Sequence, residues 1–270
     1  MAQQVVLVTG AARGYGEVVS RRLAADGALV AVLARDSGRA AALADDIGGI
    51  PLVADVLDRD AVTDAVDTLM SRVDRIDALV NNAGLGGTLG PAWEVDPDDW
   101  WHCFEVNVRG THTVTSAVLP SMIAAGAGRI VNVVSNAGVN RWPLGSAYAV
   151  SKAAVIKYGE NLAAELRRYG IVTVNFHPGI LEIGLTESLF SSQPEPSTYG
   201  GRVADWFRQE IELGHSVDSE RSASMLTRLA LTAPLTLTGR YVTAYDDLDD
   251  LLARAESARP EAFTLGLLQP

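Results

Sequence analysis

The chain has 270 residues, 48% of them hydrophobic, and a formal net charge of -11. This length and apolar content suffice for one sizeable core, and the negative charge argues against a general nucleic-acid or anionic-membrane surface. A single cysteine, Cys103, excludes an intramolecular disulfide framework, and the four histidines lack metal-ligand spacing. We therefore expect one cytoplasmic domain over residues 1–270, with no protein metal site.

Short β-branched runs alternate with longer stretches of helical period along the whole chain. The predicted strands are Val5–Thr9, Leu29–Ala34, Ile50–Ala54, Ala78–Asn81, Ile130–Val134, Val172–Phe176 and Gly239–Thr243. The predicted helices are Glu17–Asp26, Arg39–Ile47, Arg59–Val73, Asp98–Ala125, Ser146–Tyr169 and Ser219–Leu231. This order is typical of an α/β protein, and right-handed crossovers then predict a doubly wound Rossmann fold, with seven parallel strands and helices on both faces.

Two later segments depart from this rhythm. Residues 184–216 form an insertion containing Trp206 and Phe207, for which we predict a substrate lid, and the stretch from about Thr186 to Gly201 is predicted to be a loop. Residues 246–270 are predicted to be a C-terminal extension, whose apolar tail Phe263–Leu268 we expect to pack against a neighbouring subunit.

A glycine-rich loop follows the first strand and precedes the first helix, which is the context of a dinucleotide site. Its sequence is Thr9-Gly10-Ala-Ala-Arg13-Gly14-Tyr15-Gly16. Gly10 suits a tight turn, Gly14 lets backbone amides approach a pyrophosphate, and Gly16 permits close helix–sheet contact. The cofactor-binding residues predicted here are Gly10, Arg13, Gly14, Tyr15 and Gly16.

The residues at the end of the second predicted strand indicate which dinucleotide binds. An acid in this position would bind a ribose 2′-hydroxyl and select NAD, but Ala34 takes the place and Arg35 follows it. Arg35 and Arg13 offer two guanidinium groups to a 2′-phosphate, so NADP(H) is favoured over NAD(H). The alternative is that Arg35 is a solvated charge and Asp36 binds the ribose.

Tyr148 and Lys152 lie four residues apart in a predicted helix, which places phenol and ammonium on one face. A nearby cation favours the phenolate, so Lys152 is expected to lower the pKa of Tyr148 and make its proton transferable nearer neutral pH. The alternative is a buried ring beside a solvated charge.

Five elements occur together in one order: the glycine loop, Asn81-Asn-Ala-Gly84, Ser135, the Tyr148 and Lys152 pair, and His177-Pro-Gly179. In this the chain resembles the short-chain dehydrogenase/reductase family in its compact form. The resemblance implies hydride transfer between a nicotinamide and a carbonyl or alcohol carbon, with Tyr148 as proton donor or acceptor. It implies four catalytic residues, Asn107, Ser135, Tyr148 and Lys152. Asn107 would bend its helix and hold a water leading to Lys152, which would also hold the nicotinamide ribose.

The resemblance also implies further cofactor contacts. Asp55 and Val56 would lie at the adenine; Asn82, Ala83 and Gly84 would line the ribose side; Pro178, Gly179 and the backbone of Ile183 would flank the nicotinamide. Ile183 departs from the threonine common there, and Tyr245 lies where the last strand usually ends in Asp-Gly-Gly.

The leading prediction is an NADP(H)-dependent oxidoreductase of small carbonyl or alcohol substrates. An NAD-dependent alcohol dehydrogenase of the same family and a non-catalytic nucleotide-sensing protein are the alternatives. The loop Asn140–Leu144 and the lid predict an apolar or aromatic pocket, although Trp206 and Phe207 could instead anchor a lid helix to the core. Family resemblance implies a homodimer or homotetramer, joined through the two long helices, Asp98–Ala125 and Ser146–Tyr169, and through the last strand and helix.

Overall fold

The computed structural model describes residues 3–257. Its centre is one parallel sheet in the order β3-β2-β1-β4-β5-β6-β7, which confirms the predicted fold class. The strands are β1 Val5–Thr9, β2 Leu29–Ala34, β3 Ile50–Val53, β4 Ala78–Asn81, β5 Gly128–Val133, β6 Ile171–His177 and β7 Tyr241–Thr243. The predicted tail contact of Phe263–Leu268 lies outside the described residues.

Helices cover both faces of the sheet. Their bounds are α1 Gly14–Ala25, α2 Ser37–Ile47, α3 Arg59–Met70, α4 Pro97–Phe104, α5 Gly110–Ala125, α6 Ser146–Leu166, α7 Leu185–Ser191, α8 Tyr199–Glu212, α9 Ser219–Thr232 and α10 Leu248–Ser257. One core joins α1, α2 and α9 to alternate strand positions such as Val8 and Val32, and a second joins α3, α5 and α6 to Leu7 and Leu79. Strands buried on both faces explain the nearly continuous apolar runs in the sequence.

The prediction of one continuous α-helix over Asp98–Ala125 is wrong in the middle of that range. A π-helical turn, Glu105–Arg109, separates α4 from α5. Asn107 lies in this turn, and its side chain bonds both backbone groups of Leu85, at 2.8 and 2.9 Å. These bonds to a distant loop account for the local departure from α-helical geometry, which periodicity alone does not reveal.

The loop predicted from Thr186 to Gly201 is also wrong over part of its length, because α7 lies there and α8 begins at Tyr199. The Thr198 hydroxyl caps α8 by accepting the Gly201 N–H at 3.1 Å. Arg208 of α8 lies over the Phe190 ring of α7, with 5.2 Å from guanidinium carbon to ring centroid. Over residues 3–257, no helix combines the length and the apolarity required to cross a bilayer.

Candidate active site

The predicted site residues gather at the carboxyl edge of the sheet. Gly10, Arg35, Asp55, Asn82, Ser135 and Pro178 each follow the end of one of the strands β1 to β6. The strand order reverses direction between β1 and β4. In open α/β sheets a crevice forms at such a switch point, outside the carboxyl ends of the strands.

The glycine loop packs tightly between β1 and α1. Gly10 has φ 60°, and a Cβ there would lie 2.9 Å from the Ala83 Cα. A Cβ on Gly16 would lie 2.3 Å from the Gly10 carbonyl oxygen, so α1 can approach the sheet only with glycine at this position. Arg13 precedes α1 without capping it through its side chain, whereas the carboxylate of Asp36 caps α2. The uncapped N–H groups at the start of α1 fit a diphosphate.

Asn82 braces this loop. Its side-chain Nδ2 donates to the carbonyls of Thr9 at 3.0 Å and Gly10 at 3.2 Å. The Thr9 hydroxyl in turn accepts the N–H groups of Asn82 and Ala83, both at 3.0 Å. The Asn82 side chain therefore shapes the glycine loop.

At the end of β2, Arg35 is exposed and its Nη1 lies 3.6 Å from an Asp55 carboxylate oxygen. The other Asp55 oxygen accepts the Leu57 N–H at 2.9 Å. Asp36 is engaged elsewhere, because its carboxylate accepts the Arg39 N–H at 3.0 Å and caps α2. Val56 is buried with its side chain against Gly110, which leaves its backbone for a ligand.

Three buried asparagines hold β4, β5 and β6 together just below the site. Asn81, Asn132 and Asn175 are register partners in neighbouring strands. Asn81 Nδ2 donates to Asn132 Oδ1 at 3.0 Å, and Asn132 Nδ2 donates to Asn175 Oδ1 at 3.2 Å. This chain of bonds fixes the relative positions of the strand ends that carry Asn82, Ser135 and Pro178.

Tyr148 lies in the first turn of α6, and the side chain of Ser135, two residues after the end of β5, is close enough to its phenol to act on the pKa of that phenol. One helical turn later, Lys152 Nζ lies 5.6 Å from the Tyr148 ring centroid and donates to the Val133 carbonyl at 2.8 Å. Lys152 is buried and Tyr148 is half-buried. The structure thus brings Ser135, Tyr148 and Lys152 into one place, and the reading of Lys152 as a solvated charge is wrong.

The predicted direction of the Tyr148 pKa is wrong. Burial raises the pKa of the Tyr148 phenol to about 12, and the hydrogen bond with Ser135 offsets part of that rise. Burial also lowers the pKa of the Lys152 ammonium to about 8. Desolvation by burial is the largest cause of both pKa shifts, and helical spacing cannot reveal it.

The Asn107 side chain is held by hydrogen bonds to backbone and side-chain groups. Its Nδ2 also donates to the Ser151 hydroxyl at 2.8 Å, and that hydroxyl donates to the Tyr148 carbonyl at 2.7 Å. A Cβ on Gly84 would lie 3.0 Å from Asn107 Oδ1 and 3.6 Å from Lys152 Nζ, so both groups converge beside Gly84. Sequence analysis missed Ser151, since a serine on a helix gives no signal of this link.

The loop after β6 is tied to the glycine loop. The Tyr15 hydroxyl lies 2.8 Å from Ser222 Oγ, which donates to the Pro178 carbonyl at 2.8 Å. Tyr15 thereby has a partner for its buried phenol, and Ser222, on α9, is a second residue that sequence analysis missed. The Ile183 side chain packs against the core, which leaves only its backbone for the predicted nicotinamide contact.

The loop between Ser135 and Tyr148 and the predicted lid meet through aromatic rings. Trp142 lies 4.8 Å from Trp206 and 5.8 Å from Phe207, measured between ring centroids. Trp206 and Phe207 therefore join α8 to the loop between Ser135 and Tyr148. Within residues 3–257, no three His, Cys, Asp or Glu side chains gather in a way that could hold a metal ion.

The family comparison agrees with this geometry. The sequence model of the family described as short chain dehydrogenase matches residues 4–194, well over half of the chain. The chain belongs to the short-chain dehydrogenase family. Two relatives of known name, described in the next paragraph, are dehydrogenases. This short-chain dehydrogenase is accordingly an NAD(P)-dependent oxidoreductase acting on CH–OH or C=O groups.

Individual relatives differ in cofactor. The chain is 38% identical over 192 residues to the NADP-dependent 3-hydroxy acid dehydrogenase of Salmonella typhi, covering 70% of this chain and 75% of the relative. It is 32% identical to 2-dehydro-3-deoxy-L-rhamnonate dehydrogenase (NAD(+)) of a Sphingomonas species, covering 85% and 88%. A solved gluconate 5-dehydrogenase from Burkholderia cenocepacia, in complex with NADP and tartrate, is 31% identical with TM-score 0.79, covering 90% and 94%.

Proposed function

We propose that this short-chain dehydrogenase is an NADP(H)-dependent carbonyl reductase in which Tyr148 donates the proton. The observation that carries the proposal is the convergence of Ser135, Tyr148 and Lys152 at the carboxyl edge of the sheet. A bound dihydronicotinamide would supply the hydride. A phenol with a pKa of about 12 stays protonated at neutral pH, which favours the direction of carbonyl reduction.

The residues that would hold the cofactor come from the ends of β1, β2, β3, β4 and β6 and from α6. They are Gly10, Arg13, Gly14, Tyr15, Gly16, Arg35, Asp55, Val56, Asn82, Ala83, Gly84, Tyr148, Lys152, Pro178, Gly179 and Ile183. Ser135 would hydrogen-bond the carbonyl oxygen of the substrate. Asn107 would keep its predicted link to Lys152, which the convergence of both side chains beside Gly84 supports.

Activity is tested by a panel of ketones, followed through the absorbance of NADPH. Leu185 of the predicted lid approaches Gly86, and Leu89 and Trp142 both approach Gly145, three residues before Tyr148, which supports an apolar and aromatic substrate pocket. The protein also has a net charge of -11, which disfavours acidic substrates. We expect turnover of bulky uncharged ketones, whereas turnover of anionic keto acids alone would contradict the proposed substrate class.

The preference for NADP(H) rests on Arg35 and Arg13. Both are exposed at the site, and Asp36, the residue that could otherwise bind a ribose, is occupied as the cap of α2. An NAD-dependent enzyme of the same family stays the alternative. A sensor without turnover is disfavoured, because Tyr148 and Lys152 are both present.

Replacing Arg35 by alanine is expected to raise the KM for NADPH by about 10- to 100-fold, because a charge-assisted contact to the 2′-phosphate is lost. The KM for NADH should change little. Arg22, which pairs with Asp26 at 3.0 Å near the end of α1, offers a matched control in Arg22→Ala. A wild-type preference for NADH that Arg35→Ala leaves unaltered would contradict NADP(H) selection.

We also propose a homo-oligomer joined through the outer face of α4, α5 and α6. A groove of about 450 Å³ runs there between Trp101, Phe104, Val108 and Tyr158, and Trp101 is 57% exposed. Trp101→Glu is expected to reduce the molar mass measured by light scattering, because the charge would be buried at the interface. A monomeric wild-type protein would refute the proposal.

A further inference from the structure

The Tyr245 hydroxyl bridges the two ends of the lid. It accepts the Ile180 N–H at 3.0 Å and donates to the His215 carbonyl at 2.9 Å. Ile180 comes four residues before Gly184, where the lid begins, and His215 comes at the end of the lid. The Tyr245 phenol is thus hydrogen-bonded to the chain at both ends of a segment of about thirty residues.

The lid is bounded by glycines in the left-handed region. Gly184 has φ 67° and Gly214 has φ 76°, and the helices α7 and α8 lie between them. Such positions are where a chain can change direction at low cost. Because Tyr245 bonds residues just outside both glycines, it holds the fixed base from which the lid extends.

Tyr245 is itself held by the sheet. The Ala244 N–H donates to the His177 carbonyl at 2.9 Å, which extends the pairing of β7 with β6. The Asp246 carboxylate accepts the N–H and the hydroxyl of Thr243, at 2.7 and 2.9 Å, and so closes the turn that carries Tyr245. Its ring lies beside Gly179, where a Cβ would approach Tyr245 Cζ to 3.4 Å.

The segment that Tyr245 holds runs towards the glycine loop. A Cβ on Gly14 would lie 3.0 Å from the Gly184 Cα, so residues 180–184 span from Tyr245 to the start of α1. The Val217 N–H also donates to the Ile180 carbonyl at 2.8 Å, which keeps the two lid ends adjacent without the phenol. The contribution of the hydroxyl is therefore the orientation of this segment relative to the sheet.

We infer that Tyr245 is a positioning residue for the cofactor, acting through residues 180–184. The inference rests on the proposed function, which puts Pro178, Gly179 and Ile183 beside the nicotinamide. Ser135 follows β5, Tyr148 and Lys152 lie on α6, and the two hydrogen bonds of the Tyr245 hydroxyl involve none of these three residues.

The test is Tyr245→Phe, which removes the hydroxyl and keeps the ring beside Gly179 and His177. We expect the Kd of NADPH without substrate, and its KM, to rise about threefold to tenfold, with kcat within about twofold of wild type. Hydrogen exchange of the Ile180 amide should become at least about tenfold faster. Tyr169→Phe is the matched control, because its hydroxyl binds Arg168 after α6, at the opposite edge of the sheet.

The outcomes separate this inference from the proposed function. A wild-type protein that binds NADPH, together with an unchanged Kd in Tyr245→Phe, would overturn the role of Tyr245 alone, even if the Ile180 amide exchanged faster. An unchanged exchange rate at Ile180 would overturn it as well. A wild-type protein that fails to bind NADPH would overturn the proposed function and this inference with it.

Discussion

Replacing Tyr148 by phenylalanine is expected to lower kcat for ketone reduction by about 100- to 10,000-fold, because the proton donor is lost. The ring would remain between Ser135 and Lys152, so the fold and the binding of NADPH should persist. Steady-state kinetics measure the loss, and fluorescence titration of NADPH with thermal unfolding show whether binding and stability are retained.

The control for this variant is Tyr169→Phe. The Tyr169 hydroxyl accepts a hydrogen bond from Arg168 at 2.8 Å, at the edge of the sheet opposite Ser135. It should keep wild-type turnover. If Tyr148→Phe bound NADPH and turned over ketone at the wild-type rate, Tyr148 would not be the proton donor.

Reduction should also lose efficiency at alkaline pH. Burial lowers the pKa of Lys152 to about 8, so the ammonium is charged below that pH and neutral above it. The proposed role requires the charged form, and kcat/KM reports the groups of the free enzyme. We expect kcat/KM for ketone reduction to be constant below pH 8 and to fall about tenfold for each pH unit above it.

Lys152→Arg tests the assignment, because a guanidinium stays charged throughout this range. The variant should be slower but should lack the fall above pH 8. Lys157, the only other lysine in the chain, is exposed on the same helix, and Lys157→Met should keep the wild-type profile. A fall near pH 8 that persists in Lys152→Arg would show that another group titrates.

Much of the fold was predictable from local patterns. Apolar runs such as Val5–Thr9 and Leu29–Ala34 match their strands residue for residue, because a strand buried on both faces must be apolar throughout. Helix ends were less accurate, and α7 and α8 were missed, on either side of a stretch rich in Ser and Pro. Those helices depend on contacts such as Arg208 with Phe190 and Trp142 with Trp206, which join residues distant in the sequence.

The sequence alone determined which chemistry-bearing residues lie at strand ends, since the alternation of strands and helices brings those ends to one edge. Tertiary structure decided how they are held and how they titrate. Burial, which raises the pKa of Tyr148 and lowers that of Lys152, depends on the whole packed interior. Likewise Tyr15 meets Ser222 across 207 positions of the chain, and Tyr245 meets Ile180 across 65. Such contacts form only when the sheet is assembled, so no local pattern carries them.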